Sequence, residues 1–243
     1  MRIEKYLADT GWGSRKDIKQ LLAQKIVTIN DQVCSKGGTQ VTPGSDRIAV
    51  GGQVVPYQRY HYYLLNKPAG ILSATEDRHH QTVIDWLGEG YQHLDLFPVG
   101  RLDIDTTGLL LLTNNGQLAH QLLSPKKKVD KTYTATIRGL VDQADIAAFE
   151  AGLDLGDFTS LPAELTVLSQ DVDQGTSQIQ VIIQEGKFHQ VKRMFQAVGK
   201  EVLSLHRLAM GPLRLESDLA HGQWRSLTEQ EAQALEPYGY VAE

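Results

Sequence analysis

The sequence predicts an α+β protein in two parts: a small helix-and-hairpin module over residues 1–57, and a larger domain over residues 58–243 built on a mixed, largely antiparallel sheet flanked by helices. Three observations lead there. Apolar residues fall at helical spacing at Ile3, Tyr6 and Leu7, and the pattern switches to alternation after Lys25. Beyond residue 60, strand-like runs recur at uneven intervals with few strand-helix-strand units, which argues against a purely parallel sheet. The 243 residues, 41% hydrophobic and 22% charged, suffice for a small core beside a medium one.

Taken in order, Ser14 and Asp17 form a capping-box pattern that starts a second helix running through Lys25. Residues 26–29 alternate, Asn30-Asp31 is a tight turn and Val33 resumes the strand, so a hairpin follows. Residues 41–55 contain Pro43-Gly44 and Gly51-Gly52 and read as short strands joined by turns, with residues 58–60 as a linker. In the larger domain, strands are expected at 61–65, 108–113, 131–138, 162–168, 178–184 and 201–207, and helices at 82–87, 117–123, 143–151 and 189–198. The sequence shows no internal repeat, low-complexity segment, Walker loop or G-x-G-x-x-G fingerprint.

Composition narrows the function. The single cysteine, Cys34, excludes an intramolecular disulfide and a Cys-rich zinc site, and no basic-plus-apolar leader follows Met1, so a reducing, cytoplasmic setting is expected. No apolar run approaches the roughly 20 residues that span a bilayer. The net charge of −5 argues against a generally basic nucleic-acid coat protein, but the positive charge is concentrated. Residues 1–25 carry six basic and three acidic side chains; Lys126, Lys127, Lys128 and Lys131 form a second cluster, and Lys187, His189, Lys192 and Arg193 a third. Segregation of this kind suggests one face for a polyanion and a solvated back.

The stretch G-R-L-D-I-D-T-T-G-L-L-L-L-T over residues 100–113 mounts Asp103 in a polar loop leading into a buried apolar strand. A loop anchored to a stiff strand holds a reactive group in place and leaves it open to substrate. The same residues also read as a solvated loop with Asp103 and Asp105 capping turns.

Residues 2–8 (R-I-E-K-Y-L-A), Ser14-Arg15 and residues 27–33 (V-T-I-N-D-Q-V) resemble the S4 RNA-binding domain. The resemblance implies that Arg2, Lys5, Arg15, Lys16 and Lys19 face structured RNA. It departs from the family at Lys25 and Asp31, where glycines are usual, so the turns there are its open points.

Asn66-Lys67-Pro68-Ala69-Gly70, the G-R-L-D-I-D-T-T-G-L run, Asp130-Lys131-Thr132-Tyr133 and E-G-K-F-H-Q-V-K-R-M over residues 185–194 together resemble the pseudouridine synthases, in the branch that carries an S4 domain and modifies ribosomal RNA. Ser124-Pro125 and the Asp130–Tyr133 stretch look most like its 16S rRNA subgroup. The resemblance covers nearly the whole chain. It implies a monomeric isomerase needing no cofactor and no metal, whose partner is ribosomal RNA, either 16S rRNA or a small-subunit assembly intermediate. Asp103 would be the catalytic carboxylate, which attacks ribose C1′, adds to the uracil ring or removes the C2′ proton. Lys192 would face and orient it. Tyr133 would stack on a uracil turned out of the RNA and act in the final proton removal from C5. Arg101 would fill the gap left by that nucleotide or clamp a phosphate, and Lys67, Lys187, His189, Gln190 and Arg193 would line the RNA track.

Three alternatives stay open: a 23S rRNA synthase of the same branch, a non-catalytic S4-type RNA-binding or ribosome-assembly protein, and a hydrolase or metal-assisted phosphotransfer enzyme built on Asp103 and Asp105. The last would need further ligands, for which Asp77, His79 and His80 are the nearby candidates.

Overall fold

The computed structural model describes residues 1–217 and 219–242. The first module consists of helices α1 (Ile3–Asp9) and α2 (Arg15–Ala23) and strands β1 (Val27–Ile29), β2 (Gln32–Val33), β3 (Ile48–Val50) and β4 (Gln53–Val54), paired in the order β2-β1-β3-β4. The capping box closes: the Ser14 amide donates to the Asp17 carboxylate at 2.9 Å and the Asp17 amide to the Ser14 hydroxyl at 3.3 Å. α2 stops at Ala23, short of the expected end, because Lys25 takes a left-handed conformation (φ 59°) that no right-handed helix continues through. Asn30 (φ 50°) and Asp31 (φ 65°) are also left-handed, as a two-residue hairpin turn of matching twist requires. Both positions where S4 domains usually place glycine therefore keep glycine-like backbone geometry without glycine. Ile3, Leu7, Ile18, Leu22, Val27 and Ile48 form this module's core.

The module rests on the larger domain. His61 Nε2 lies 2.9 Å from the Asp9 carbonyl, and Gly11 sits against Leu94.

The larger domain contains β5 (Tyr62–Lys67), α3 (Val83–Leu87), β6 (Phe97–Pro98), β7 (Thr107–Thr113), α4 (Gly116–Leu123), β8 (Lys131–Arg138), α5 (Gln143–Ala151), β9 (Glu164–Asp171), β10 (Thr176–Ile183), α6 (Gln190–Ala197), β11 (Glu201–Met210), β12 (Leu213–Arg214), β13 (Trp224–Ser226) and α7 (Glu229–Ala234). Its nine-stranded sheet runs β13-β5-β7-β11-β8-β10-β9, with β6 and β12 on the flanks of β7 and β11. Among the described residues β7 and β11 pair in parallel and every other pairing is antiparallel, giving the mixed sheet read from the sequence.

Leu109, Leu110, Leu111 and Leu112 are all fully buried because β7 is covered on both faces. Leu110 and Leu112 join Tyr133, Ile137, Phe149 and Phe195 in one core; Leu109 and Leu111 join Leu118, Leu122 and Leu235 in the other. Gly108 (φ +106°) is the residue that permits the parallel contact. A Cβ there would lie 2.3 Å from the Arg207 carbonyl oxygen and 2.7 Å from its nitrogen, so a side chain would push β11 away.

Three strands run further than expected, β9 by reaching Asp171 rather than residue 168. β5 continues through the polar pair Asn66-Lys67, both buried, and β11 continues to Met210 through register shifts that break its alternation. β6, β12, β13 and α7 are additions; α7 opens with a Thr228–Glu231 capping box that is visible in the sequence. No helix among the described residues is long and apolar enough to cross a membrane.

Candidate active site

Residues 100–106 form the loop entering β7, and residues 67–73, far away in sequence, hold it. The Lys67 ammonium donates to four backbone carbonyls: Pro68 at 3.0 Å, Asp103 at 3.2 Å, Ile104 at 3.4 Å and Thr106 at 3.0 Å. The Gly70 amide donates to the Ile104 carbonyl at 2.7 Å. The Ser73 hydroxyl donates to the Leu102 carbonyl at 2.9 Å and accepts from its amide at 3.0 Å.

Lys67 was expected on the RNA track. It is instead wholly enclosed, and its charge organises the loop from beneath. A buried ammonium is costly unless hydrogen-bonded, and the ring of carbonyls supplies those bonds. Burial still pulls its pKa down to about 8, against the opposing pull of Asp105 and Asp103.

With its backbone pinned from below, the Asp103 carboxylate faces a pocket between the loop and the start of α6. Lys192 Nζ lies 3.3 Å from Asp103 Oδ2 and 2.6 and 2.9 Å from the two oxygens of Asp105. Lys192 thus faces Asp103 as expected, but its tighter partner is Asp105. Burial alone would lower the Lys192 pKa; the hydrogen bond to Asp105 and the charges of Asp103 and Asp105 outweigh it and raise it. The Lys192 hydrogen bond is likewise the main reason the Asp105 carboxyl lies below its ordinary range. His189, left-handed at φ 50°, places Nε2 3.6 Å from Asp103 Oδ1.

Tyr133, buried on β8, lines the same pocket with Leu102, Ile183 and Leu205. Arg101 is exposed at its rim. The pocket holds about 50 Å³, room for one or two waters.

Two other expected track residues are occupied elsewhere. Gln190 is buried: its side-chain oxygen accepts from the Lys187 amide at 3.1 Å and its amide donates to the Glu185 carboxylate at 2.9 Å, which fixes the loop before α6 rather than presenting a surface to RNA. Arg193 pairs with the Asp157 carboxylate and donates to the Leu155 carbonyl at 2.6 Å. Lys187 stays half exposed, with its ammonium 3.5 Å from the centre of the Phe158 ring. In the second basic cluster Lys131 is buried on the Val129 carbonyl, while Lys126, Lys127 and Lys128 are exposed.

Arg2, Lys5, Arg15, Lys16 and Lys19 are all exposed. Four of them, Lys16 excepted, line a cleft of about 700 Å³ whose other wall is Gln92, His93 and Asp95 of the larger domain. Glu4 and Asp9 share that cleft, and Lys5 is tied to Asp9 at 2.9 Å.

The sequence reads Asp105 as a turn cap or metal ligand and Thr106 as a turn hydroxyl, not as partners of Lys192 and the pocket, and gives Phe188 no role. The D-I-D spacing was the available signal for Asp105. Thr106 is buried at the pocket with no hydrogen-bond partner for its hydroxyl, and Phe188 is exposed, its ring stacked on that of the pocket-lining His189; neither property shows in a sequence. Asp77 is accounted for by a turn, accepting from the His79 and His80 amides at 2.8 and 2.9 Å. Among the described residues, no three His, Cys, Asp or Glu side chains are grouped so as to hold a metal ion. The site thus offers an oriented carboxylate, a cation held against it, and an aromatic face in a pocket with little room for water.

A family model described as RNA pseudouridylate synthase matches residues 61–197, and an S4 domain model matches residues 1–48. The chain is 44% identical to an uncharacterised RNA pseudouridine synthase of Bacillus subtilis, over 97% of this chain and 98% of that protein. It is 39% identical to ribosomal large subunit pseudouridine synthase B of Bacillus subtilis (96% and 95%), and 38% identical to ribosomal small subunit pseudouridine synthase A of Yersinia pestis (95% and 96%). A crystal structure of a pseudouridylate synthase superimposes with a TM-score of 0.66 at 32% identity, covering 97% of this chain and 99% of the other.

Proposed function

The chain belongs to the RNA pseudouridylate synthase family and carries an S4 domain at its N-terminus; from that premise we propose that it isomerises a uridine of 16S ribosomal RNA, with Asp103 as the catalytic carboxylate. The observation that carries the reading is the Asp103 carboxylate held 3.3 Å from the Lys192 ammonium in a pocket walled by Tyr133. Pseudouridine forms when the bond from ribose C1′ to uracil N1 breaks, the base turns and C1′ bonds to C5; the C5 proton leaves to solvent and N1 takes one up. No atom is added and no electrons are exchanged with another molecule. A fixed carboxylate acts on the ribose or the ring, the Lys192 ammonium faces and orients it, and Tyr133 stacks on the detached base so that it turns in place. A uridine turned out of the RNA reaches Asp103 past His189 and Arg101, which line the pocket.

The small-subunit assignment is supported by Ser124-Pro125 and the run Asp130–Tyr133, and the S4 cleft supplies the electrostatic grip. RNA affinity is expected to fall steeply between about 50 and 200 mM salt, and Arg15→Ala or Lys19→Ala to reduce the slope of log K against log salt by about 0.7–0.9 each, read by filter binding. A slope unchanged in both variants contradicts a phosphate role for that helix face.

The Thr106 hydroxyl is placed to bond the incoming nucleotide. Left unpaired it costs stability, so Thr106→Val is expected to keep or raise Tm while lowering kcat about 5- to 10-fold, the worth of one hydrogen bond, and Thr106→Ser to restore turnover. A Val variant with wild-type kcat removes Thr106 from the reaction.

The reading is tested by tritium release from 16S and 23S rRNA transcripts labelled at uridine C5, using the purified chain. Release from 16S alone is expected. Release from 23S alone transfers the assignment to the large subunit, a reading favoured by the equally similar large-subunit relative. Release from neither, on transcripts that bind, contradicts it.

A further inference from the structure

We propose that Phe188 is a stacking platform for an unpaired base adjacent to the target uridine, mounted at the rim of the active site to hold the RNA strand on one side of the flipped nucleotide. The inference rests on the family's activity but assigns a binding role to a residue that the reaction itself does not use.

Of the chain's five phenylalanines, Phe149 and Phe195 are fully buried, Phe97 and Phe158 half buried, and Phe188 is 70% exposed. Single exposed apolar residues are common and by themselves mean little. Three features set this one apart. Its mounting is stiff: the Glu185 carboxylate accepts from the Leu161 amide at 2.8 Å and from the Gln190 side chain at 2.9 Å, Gln190 accepts from the Lys187 amide at 3.1 Å, and Lys187 sits over Phe158. The next residue, His189, is held in the left-handed region at φ 50°, a costly conformation for a residue other than glycine and one that tends to persist at functional sites. Finally, the ring is aligned with the chemistry. The Phe188 and His189 rings are stacked 3.8 Å apart at 18°, and His189 Nε2 lies 3.6 Å from Asp103.

One face of the phenyl ring is thus set by His189 and the remainder is open to solvent. Lys187, Lys192 and Arg101 line the pocket together with His189, the residue on which the ring is stacked. An open aromatic ring within a cationic rim is the combination that holds single-stranded nucleic acid, because every base has a face to stack. A rigid ring loses little entropy on binding, so the stiff mounting gives the contact its worth. A strand threaded past Asp103 meets His189, 3.6 Å from that carboxylate, and with it the ring stacked on His189.

The test compares the wild type with Phe188→Ala and Phe188→Trp, using the 16S and 23S rRNA transcripts as probes. Phe188→Ala is expected to weaken binding roughly 5- to 100-fold and to raise KM more than it lowers kcat, and Phe188→Trp to restore affinity. The added indole emission of Phe188→Trp, taken above the wild-type tryptophan background, is expected to be quenched when a transcript binds. An alanine variant with wild-type affinity, or an indole emission that bound RNA leaves unchanged, overturns the platform. The fluorescence reading needs no turnover, so a protein that bound RNA without isomerising it would defeat the family reading while still deciding the role of Phe188.

Discussion

Asp103→Asn is expected to lower turnover at least about 100-fold, the lower range for removing a positioned proton-transfer group, and further where the carboxylate forms a covalent bond. RNA affinity should stay within about twofold. The separation follows from how the loop is held. Lys67, Gly70 and Ser73 grip the backbone of residues 102–106, and the Asp103 side chain contributes nothing to that grip; its contacts are Lys192 and His189. Lys192 keeps its closer partner Asp105 when Asp103 is neutralised, so the cation stays in place. Single-turnover release of tritium from uridine C5, beside filter binding of the same RNA, measures both quantities. A variant that turns over normally removes Asp103 from the chemistry, and one that fails to bind shows that it anchors the RNA.

Lys67→Met is expected to cost about 2–4 kcal/mol and about 5–15 °C in Tm, because the Pro68 and Thr106 carbonyls lose their donor inside the protein. Turnover should fall about a hundredfold, since a loop no longer tied at Asp103, Ile104 and Thr106 lets the carboxylate drift by a fraction of its reach. Lys67→Arg is not expected to rescue, because a planar guanidinium cannot meet four carbonyls converging on one point.

The pH dependence carries a definite sign. Folded Lys67 releases its proton near pH 8, whereas the unfolded side chain holds it to about 10.5. Between those values the unfolded state binds more protons, so wild-type stability gains with rising pH, and the gap between wild type and Lys67→Met widens over that window. Urea midpoints at pH 7 and pH 9.5 measure the gap; a gap that narrows contradicts the buried-ammonium account.

Lys67 also marks where sequence reading stops. Its neighbours Pro68, Ala69 and Gly70 identify a loop, and a lysine in a loop beside other basic motifs reads as a surface cation. Its burial is decided by carbonyls 36 to 39 positions away, and no local pattern carries that information. Arg193 is misplaced for the same reason, since Leu155 and Asp157 become its neighbours only when α6 packs; Gln190 is turned inward by Glu185 and the Lys187 amide of its own motif, through a loop conformation that residue type alone does not specify.

What local physics controls was legible: the Ser14–Asp17 cap, the Asn30-Asp31 turn, the β8 strand end to end, and the four-leucine centre of β7. Asp103, Tyr133 and Lys192 were named from motifs, and the fold brings all three to one pocket. The pairing of Lys192 with Asp105, the vacant hydroxyl of Thr106 and the exposed ring of Phe188 are products of tertiary packing.

The most direct test of the central claim is carbodiimide primer-extension mapping of pseudouridine across 16S and 23S rRNA from cells lacking this protein, rescued with the wild type or with Asp103→Asn. The account predicts that one 16S stop disappears, returns with the wild type and stays absent with Asp103→Asn. Persistence of every stop in the absence of the protein, or restoration by Asp103→Asn, would contradict it.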